Sequence, residues 1–241
     1  MHTRLPGTSS PWLRSCALRA GNNWTGFESA HFEWNCRCGE AALYLAVTLE
    51  IETKLRVEAH EPVRARLRAA GATRLGEVIE WNEIFDRADG SLRQSGVGVR
   101  VRSAAPTDGG TPRATLTVKG PRQAGALKRR EEREVEVSDG GAAGRILHLL
   151  GYVSILRYEK RRESWSLGDC RIELDEPPRI GLFVEIEGPD EPSIRRVQET
   201  IGLGHLEHLQ ASYVRMLSAY CEEHGIADRS LRLPDNSTRS S

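Results

Sequence analysis

Alternation of apolar and charged positions begins near residue 47 and recurs along most of the chain. Val47, Leu49, Ile51, Leu55 and Val57 occupy one face of an extended segment, and Glu50, Glu52, Lys54 and Arg56 occupy the other. The same two-residue period predicts further strands at 78–86, 97–103, 114–119, 130–137, 153–166, 170–176 and 182–187. Helical patterning interrupts the strands. Glu61-Pro62 opens a helix that stops at Gly71. Ser138 or Asp139 caps another, which carries Ile146, Leu147, Leu149 and Leu150 and stops at Gly151. Asp190 with Pro192 starts a third. A last amphipathic helix is predicted from about Leu206 to Cys221, with Leu209, Tyr213, Met216, Leu217 and Tyr220 on one side. Short connections make the strands mostly antiparallel.

Taken strand by strand, the charged faces are not a random wet surface. Val97, Val99 and Val101 oppose Arg100 and Arg102, and Leu116 and Val118 oppose Thr115, Thr117 and Lys119. Val135 and Val137 oppose Glu132, Glu134 and Glu136, while Ile172 and Leu174 oppose Arg171, Glu173 and Asp175. Leu182, Val184 and Ile186 oppose Glu185 and Glu187. Segment 153–166 is ambiguous, because Tyr158, Lys160 and Arg162 face away from an equally charged set, Arg157, Glu159 and Arg161. An open sheet with one solvated face would mix Ser, Thr, Asn and Gln among its charges. Here acids and bases dominate and are segregated by strand, and acids are poor strand formers on surfaces. A closed barrel with its charged face inward and helices over its apolar outer face explains more of the pattern. Interior charges of both signs can neutralise one another and hold a charged ligand with metal.

Composition narrows the partners. Lys+Arg and Asp+Glu are equal at 34 each, which argues against a nucleic-acid or polyanion surface but leaves room for a local basic site. The sequence has no apolar run of the roughly 18–20 residues that span a membrane, and its start lacks the layout of a signal peptide. The five cysteines without a secretory signal suit a reducing cytoplasm. Cys36-x-Cys38 has no second ligand pair at zinc spacing. Residues 1–46 carry neither period, and are expected to be a disordered extension or to precede a true start near Val47. Residues 47–222 are the expected domain, and 223–241 a flexible tail. His60, His148, His205 and His208 fall outside the charged faces, and Gly96-Val-Gly98 is not a phosphate loop because no helix is predicted after it.

Glu50-Ile-Glu-Thr-Lys54 resembles the ExExK signature of the CYTH superfamily, the triphosphate tunnel enzymes named for class IV adenylyl cyclase and thiamine triphosphatase. Phe85-Asp86, Val99-Arg-Val-Arg102, Leu116-Thr-Val-Lys119, Arg130-Glu-Glu, Lys160-Arg-Arg162, Leu174-Asp175 and Phe183-Val-Glu-Ile-Glu187 resemble further family motifs in the right order. Ile84-Phe85-Asp86 stands where Tyr-Phe-Asp is usual. The resemblance covers about 47–222 and is closest to cyclase-type bacterial and archaeal members.

That resemblance implies an α+β fold, an eight-stranded antiparallel closed β-barrel with a polar interior and helices packed outside, holding a triphosphate and Mg²⁺ or Mn²⁺. A triphosphate carries about four negative charges and needs converging cations, which Lys54, Arg100, Arg102, Lys119, Lys160 and Arg162 can supply. Glu50, Glu52, Glu185 and Glu187 match the family's metal positions, with Glu132 and Glu134 behind them. Lys54 and Asp175 are the catalytic candidates, Asp175 to orient a basic neighbour or accept a proton. The expected partner is a small-molecule triphosphate, with no nucleic acid and no membrane, and a homodimer is kept open. Water as nucleophile gives a triphosphatase, and a ribose 3′-hydroxyl gives a cyclase. A non-catalytic polyphosphate- or nucleotide-binding module is the alternative, and a purely structural barrel is a further one.

Overall fold

The computed structural model describes residues 48–234, so the expectations for the N-terminal extension, including Cys36-x-Cys38, and for 235–241 lie outside the described residues. The strands are β1 (Thr48–Val57), β2 (Thr73–Arg87), β3 (Gly98–Pro106), β4 (Arg113–Lys119), β5 (Lys128–Val137), β6 (Tyr152–Leu167), β7 (Cys170–Glu176) and β8 (Leu182–Glu187). They are ordered β2-β3-β4-β5-β1-β8-β7-β6. β2 and β6 then pair antiparallel from Thr73↔Ser166 to Arg87↔Tyr152 and close the sheet. The expected eight-stranded antiparallel barrel is the observed fold.

The helices are α1 (Glu61–Ala69), α2 (Ser91–Gln94), α3 (Gly140–Leu149), α4 (Glu191–Thr200) and α5 (Tyr213–Glu223). Val63 and Leu67 of α1 and Ile194 and Val197 of α4 pack on the outward residues Ile51, Leu55, Ile172, Leu174, Val184 and Ile186. Ala143 and Leu147 of α3 pack on Phe85, Val99 and Val101 across the barrel's other flank. Each fully buried aliphatic there contributes roughly 1.5–3 kcal/mol. Much of the core therefore lies outside the barrel, and the lumen is free for charge. The predicted caps hold: Asp139 accepts from the Ala142 amide at 3.0 Å and Asp190 from the Ser193 amide at 2.8 Å.

Four elements differ from the pattern-based expectation, among them the short α2, which the pattern does not predict. β2 begins at Thr73, with a register shift between Arg74 and Gly76, where Gly76 takes φ 147°. The last helix begins at Tyr213, capped by Ser212 (3.2 Å to the Arg215 amide), and not near Leu206. Residues before it bond to the barrel instead: the Leu209 amide donates to the Lys54 carbonyl at 2.8 Å, and Arg122 Nη1 donates to the Gln210 carbonyl at 2.6 Å. Finally, Ser230–Leu231 forms a short strand, β9, parallel to β6, with Leu231 buried against α5's cluster, so part of the expected tail belongs to the fold. No helix among the described residues is long and apolar enough to cross a membrane.

α5 takes a different place from the other helices. Its Tyr213 and Leu217 pack against Ile84, Leu156 and Phe183, which share the lumen-facing parity of Asn82, Tyr158 and Glu185. These apolar residues end the charged face, and α5 covers that end.

Candidate active site: a charged lumen

The closed barrel brings the predicted site residues around one cavity of about 1020 Å³, lined by Glu50, Glu52, Lys54, Arg100, Arg102, Lys119, Glu132, Glu134, Lys160, Arg162, Glu185 and Glu187. Asp175 lies behind its wall, fully buried. The ambiguity of β6 is resolved by pairing on both faces. Lys160 and Arg162 point inward, whereas Arg157 bonds Glu83 at 2.8 Å and Arg161 bonds Glu77 at 2.9 Å outside.

One wall is governed by cations. Arg162 Nε and Nη2 donate to the two oxygens of Asp175 at 2.7 and 2.6 Å, a bidentate pair. Asp175 also accepts from Lys160 Nζ at 3.1 Å and from the Tyr213 hydroxyl at 2.9 Å. Arg162 Nη2 reaches Glu185 Oε2 at 2.6 Å, and Lys54 Nζ stands 3.0 Å from Glu185 Oε1. Glu80 is enclosed by Arg102 at 3.0 Å, Lys160 at 3.3 Å and Arg162 at 3.8 Å. Burial pushes the carboxyls of Glu80 and Glu185 upward, but the surrounding lysines and arginines outweigh it and hold both well below the ordinary carboxylate value. Arg100 is less well matched. It donates to Thr117 Oγ1 at 3.3 Å, and its nearest acids are Glu134 at 3.6 Å and Glu132 at 4.0 Å. Burial and the adjacent Arg102 charge lower its pKa, and the Nε atoms of Arg100 and Arg102 are buried with no hydrogen-bond partner among the described residues.

A second wall, which shares β1 and β8 with the first, is crowded with acids. Lys119 Nζ lies between Glu50, 2.8 Å from both oxygens, and Glu132 at 2.5 Å. Arg130 reaches Glu50 at 3.4 Å and Lys128 reaches Glu52 at 3.2 Å. Burial, then the nearby Lys54, push the Lys128 ammonium down to about 8. Glu187, at the rim, has no ion pair among the described residues. Partial burial, with Glu50, Glu52 and Glu132 nearby, raises its pKa. Glu185 and Glu187 are thus two residues apart on β8, one held by cations and the other pressed by acids.

This crowding fits an added cation, and carboxylate oxygens are the donors that magnesium and manganese prefer. As the side chains stand, no three acids, histidines or cysteines among the described residues converge into a metal-holding group, because lysines and arginines occupy them.

Glu80, Lys128 and Tyr213 are absent from the sequence-based site list although all three line the cavity. Glu80 shares parity with Asn82 in a strand that alternates only loosely. Lys128 shares parity with Arg130 and Glu132 but precedes the predicted strand start. Tyr213 carries no local signal beyond helix packing.

A closed antiparallel barrel whose lumen gathers lysines, arginines and glutamates defines the triphosphate-tunnel class of proteins. Residues 48–200 match the CYTH domain, and this chain belongs to the CYTH family. A Methanocaldococcus jannaschii relative provisionally named an adenylate cyclase, MJ0240, is 27% identical over 139 residues, 58% of this chain and 76% of that one. The PH1819 protein of Pyrococcus horikoshii has the same fold, with a TM-score of 0.62 at 22% identity over 71% of this chain and 99% of its own. The Hippeastrum protein HpAC1, provisionally an adenylyl cyclase and described with a dominant triphosphatase activity, aligns with a TM-score of 0.53 at 19% identity over 77% of this chain and 98% of its own. Family membership supports a triphosphate-tunnel function of the hydrolase or lyase kind.

Proposed function

We propose that this chain is a divalent-metal-dependent enzyme that cleaves a phosphoanhydride bond of a triphosphate, with hydrolysis at the terminal phosphorus as the first reading. The observation that carries this is the Arg100–Arg102 pair, two neighbouring guanidiniums lining the cavity, each with an Nε that has no hydrogen-bond partner among the described residues. Adjacent like charges with unused donors call for an anion with several oxygens. Lys54, Lys119, Lys160 and Arg162 line the same cavity and extend the cationic surface along a chain of phosphates.

Asp175 acts by orientation. Its oxygens already accept from Arg162, Lys160 and Tyr213, so it holds those three side chains in register. Lys54 lies against Glu185 in the ground state and turns toward the leaving oxygens as charge develops there. Glu50, Glu52 and Glu187, with Glu132 beside them, would hold magnesium or manganese. Glu185, with Lys54 on one oxygen and Arg162 on the other, and Glu134, held by Arg102 and the Thr117 hydroxyl, stand behind that set. The bound metal supplies charge withdrawal from the breaking bond. In hydrolysis a water oxygen bonds to the terminal phosphorus, the bond to the bridging oxygen breaks, and the diphosphate leaves with its charge held by the basic wall; the water's proton passes to solvent.

The relative named as an adenylate cyclase favours a second reading, in which a ribose 3′-hydroxyl attacks the α-phosphorus and pyrophosphate leaves. A substrate panel separates them: inorganic triphosphate, thiamine triphosphate and ATP with Mg²⁺ or Mn²⁺, scored for phosphate, pyrophosphate and cyclic AMP. Metal-dependent phosphate release is the expected result. Cyclic AMP with stoichiometric pyrophosphate selects the second reading. Triphosphate binding without turnover of any substrate leaves a non-catalytic binding module and overturns both.

A further inference from the structure

We propose that Tyr213, the first residue of α5, is a positioning residue of this site: its ring sets Lys54 and Lys160, and its hydroxyl sets Asp175. The inference rests on the reading that these lysines hold phosphates. It also places α5, beyond the 48–200 segment that matches the family domain, in the working site.

The ring stacks under one cation and near another. Lys54 Nζ lies 3.4 Å from its centroid and Lys160 Nζ 5.1 Å. The hydroxyl donates to Asp175 Oδ2 at 2.9 Å, the oxygen that also accepts from Lys160 and Arg162. One side chain therefore touches cations from β1 and β6 and the acid on β7 that aligns the latter. The ring itself is fixed. Phe183 meets it edge-on at 5.3 Å and sets its orientation, whereas Leu217, one turn along the helix, is buried in the apolar cluster that closes this end of the barrel. Burial, with Asp175 beside it, raises the hydroxyl's pKa well above its ordinary value, so it serves as a hydrogen-bond donor at neutral pH.

The contacts separate by substitution. Tyr213→Phe keeps the ring and loses the hydroxyl. Tyr213→Leu loses both. Leu217→Ala weakens the apolar plug without touching a charged group. With inorganic triphosphate and Mg²⁺, well below each variant's melting temperature, Tyr213→Phe is expected to raise KM about 3-fold with kcat within 2-fold. Tyr213→Leu is expected to lower kcat about 30-fold, and Leu217→Ala to lower the melting temperature while kcat/KM stays within 2-fold. If Tyr213→Leu, folded and binding triphosphate, turns over at the wild-type rate, the assignment fails. It also fails if Leu217→Ala lowers kcat as much as Tyr213→Leu, since α5 is then a plug only. A wild-type protein that neither binds nor hydrolyses triphosphate is a different outcome: it removes the reading of the site itself, and the Tyr213 assignment with it.

Discussion

The two walls of the lumen are built from the same residue types and behave in opposite ways. Around Glu80 and Glu185 each carboxylate is met by two or more cations that outweigh its burial, and Asp175 is met by Lys160 and Arg162. Around Glu50, Glu52, Glu132 and Glu187 the carboxylates crowd one another: Lys119 is shared by Glu50 and Glu132, Arg130 reaches Glu50, Lys128 reaches Glu52, and Glu187 has no ion pair among the described residues. The first wall is complete without ligand except at Arg100 and Arg102. The second is short of positive charge. The proposed metal–triphosphate complex would supply what each lacks, an anion at the first wall and a cation at the second.

Removing a linchpin of the first wall should have the largest effect. Arg162→Ala leaves Asp175 and Glu185 without their shortest contacts, and is expected to cost about 3–5 kcal/mol of stability in urea unfolding. It should also lower kcat/KM on inorganic triphosphate by about 10³-fold, and Arg162→Lys should not restore the bidentate pair. A destabilised variant with unchanged kinetics on its folded fraction would reduce this wall to a structural network. Next, Glu52→Gln on the second wall should lower metal-stimulated turnover about 100-fold while triphosphate binding changes less than about 3-fold. Equal losses of both would erase the distinction between the walls.

Glu187→Gln sharpens the comparison further, because function and stability should move in opposite directions. Relieved of a crowded charge at a solvent-exposed rim, the metal-free protein should gain no more than a few tenths of a kcal/mol. Magnesium affinity, measured by calorimetry, should fall about 10-fold. Unchanged magnesium affinity removes Glu187 from the metal set.

The smallest effect is a control from outside both walls. His60, at the start of α1, is buried with Nε2 3.0 Å from the Phe183 carbonyl oxygen, and burial lowers its pKa below 6.5. The unfolded chain then binds the proton more readily, so the stability His60 contributes is present above about pH 6.5 and is lost as pH falls below it. The melting temperatures of wild type and His60→Gln should converge by a few degrees at most between about pH 7 and 5. A gap that widens on acidification shows that His60 is not held neutral.

Much of the barrel is legible in the chain because a strand's side-chain period is two. Glu50, Glu52 and Lys54 must share a face whatever surrounds them, as must Arg100 and Arg102 or Glu185 and Glu187. The excess of charge on those faces already favoured closure over an open sheet. Helix starts at Asp139 and Asp190 were equally local, since a capping carboxylate needs only the amide three residues on.

The sequence by itself determined the strands, their two faces and the segregation of acids from bases. Tertiary structure alone decided which charges meet. The direction of β6 followed from its pairing with β2, which fixed Lys160 and Arg162 inside. Glu185 was joined to Lys54 on the adjacent β1 and, over β7, to Arg162 on β6, while Glu187 has no ion pair among the described residues. The start of α5 was set by bonds from Leu209 and Gln210 to β1 and to Arg122, which no local pattern announces. Those bonds placed Tyr213 under Lys54, 159 positions away in the chain. Periodicity is a property of adjacent residues, whereas pKa, pairing and site membership depend on Coulomb and packing contacts between strands that only barrel closure brings together.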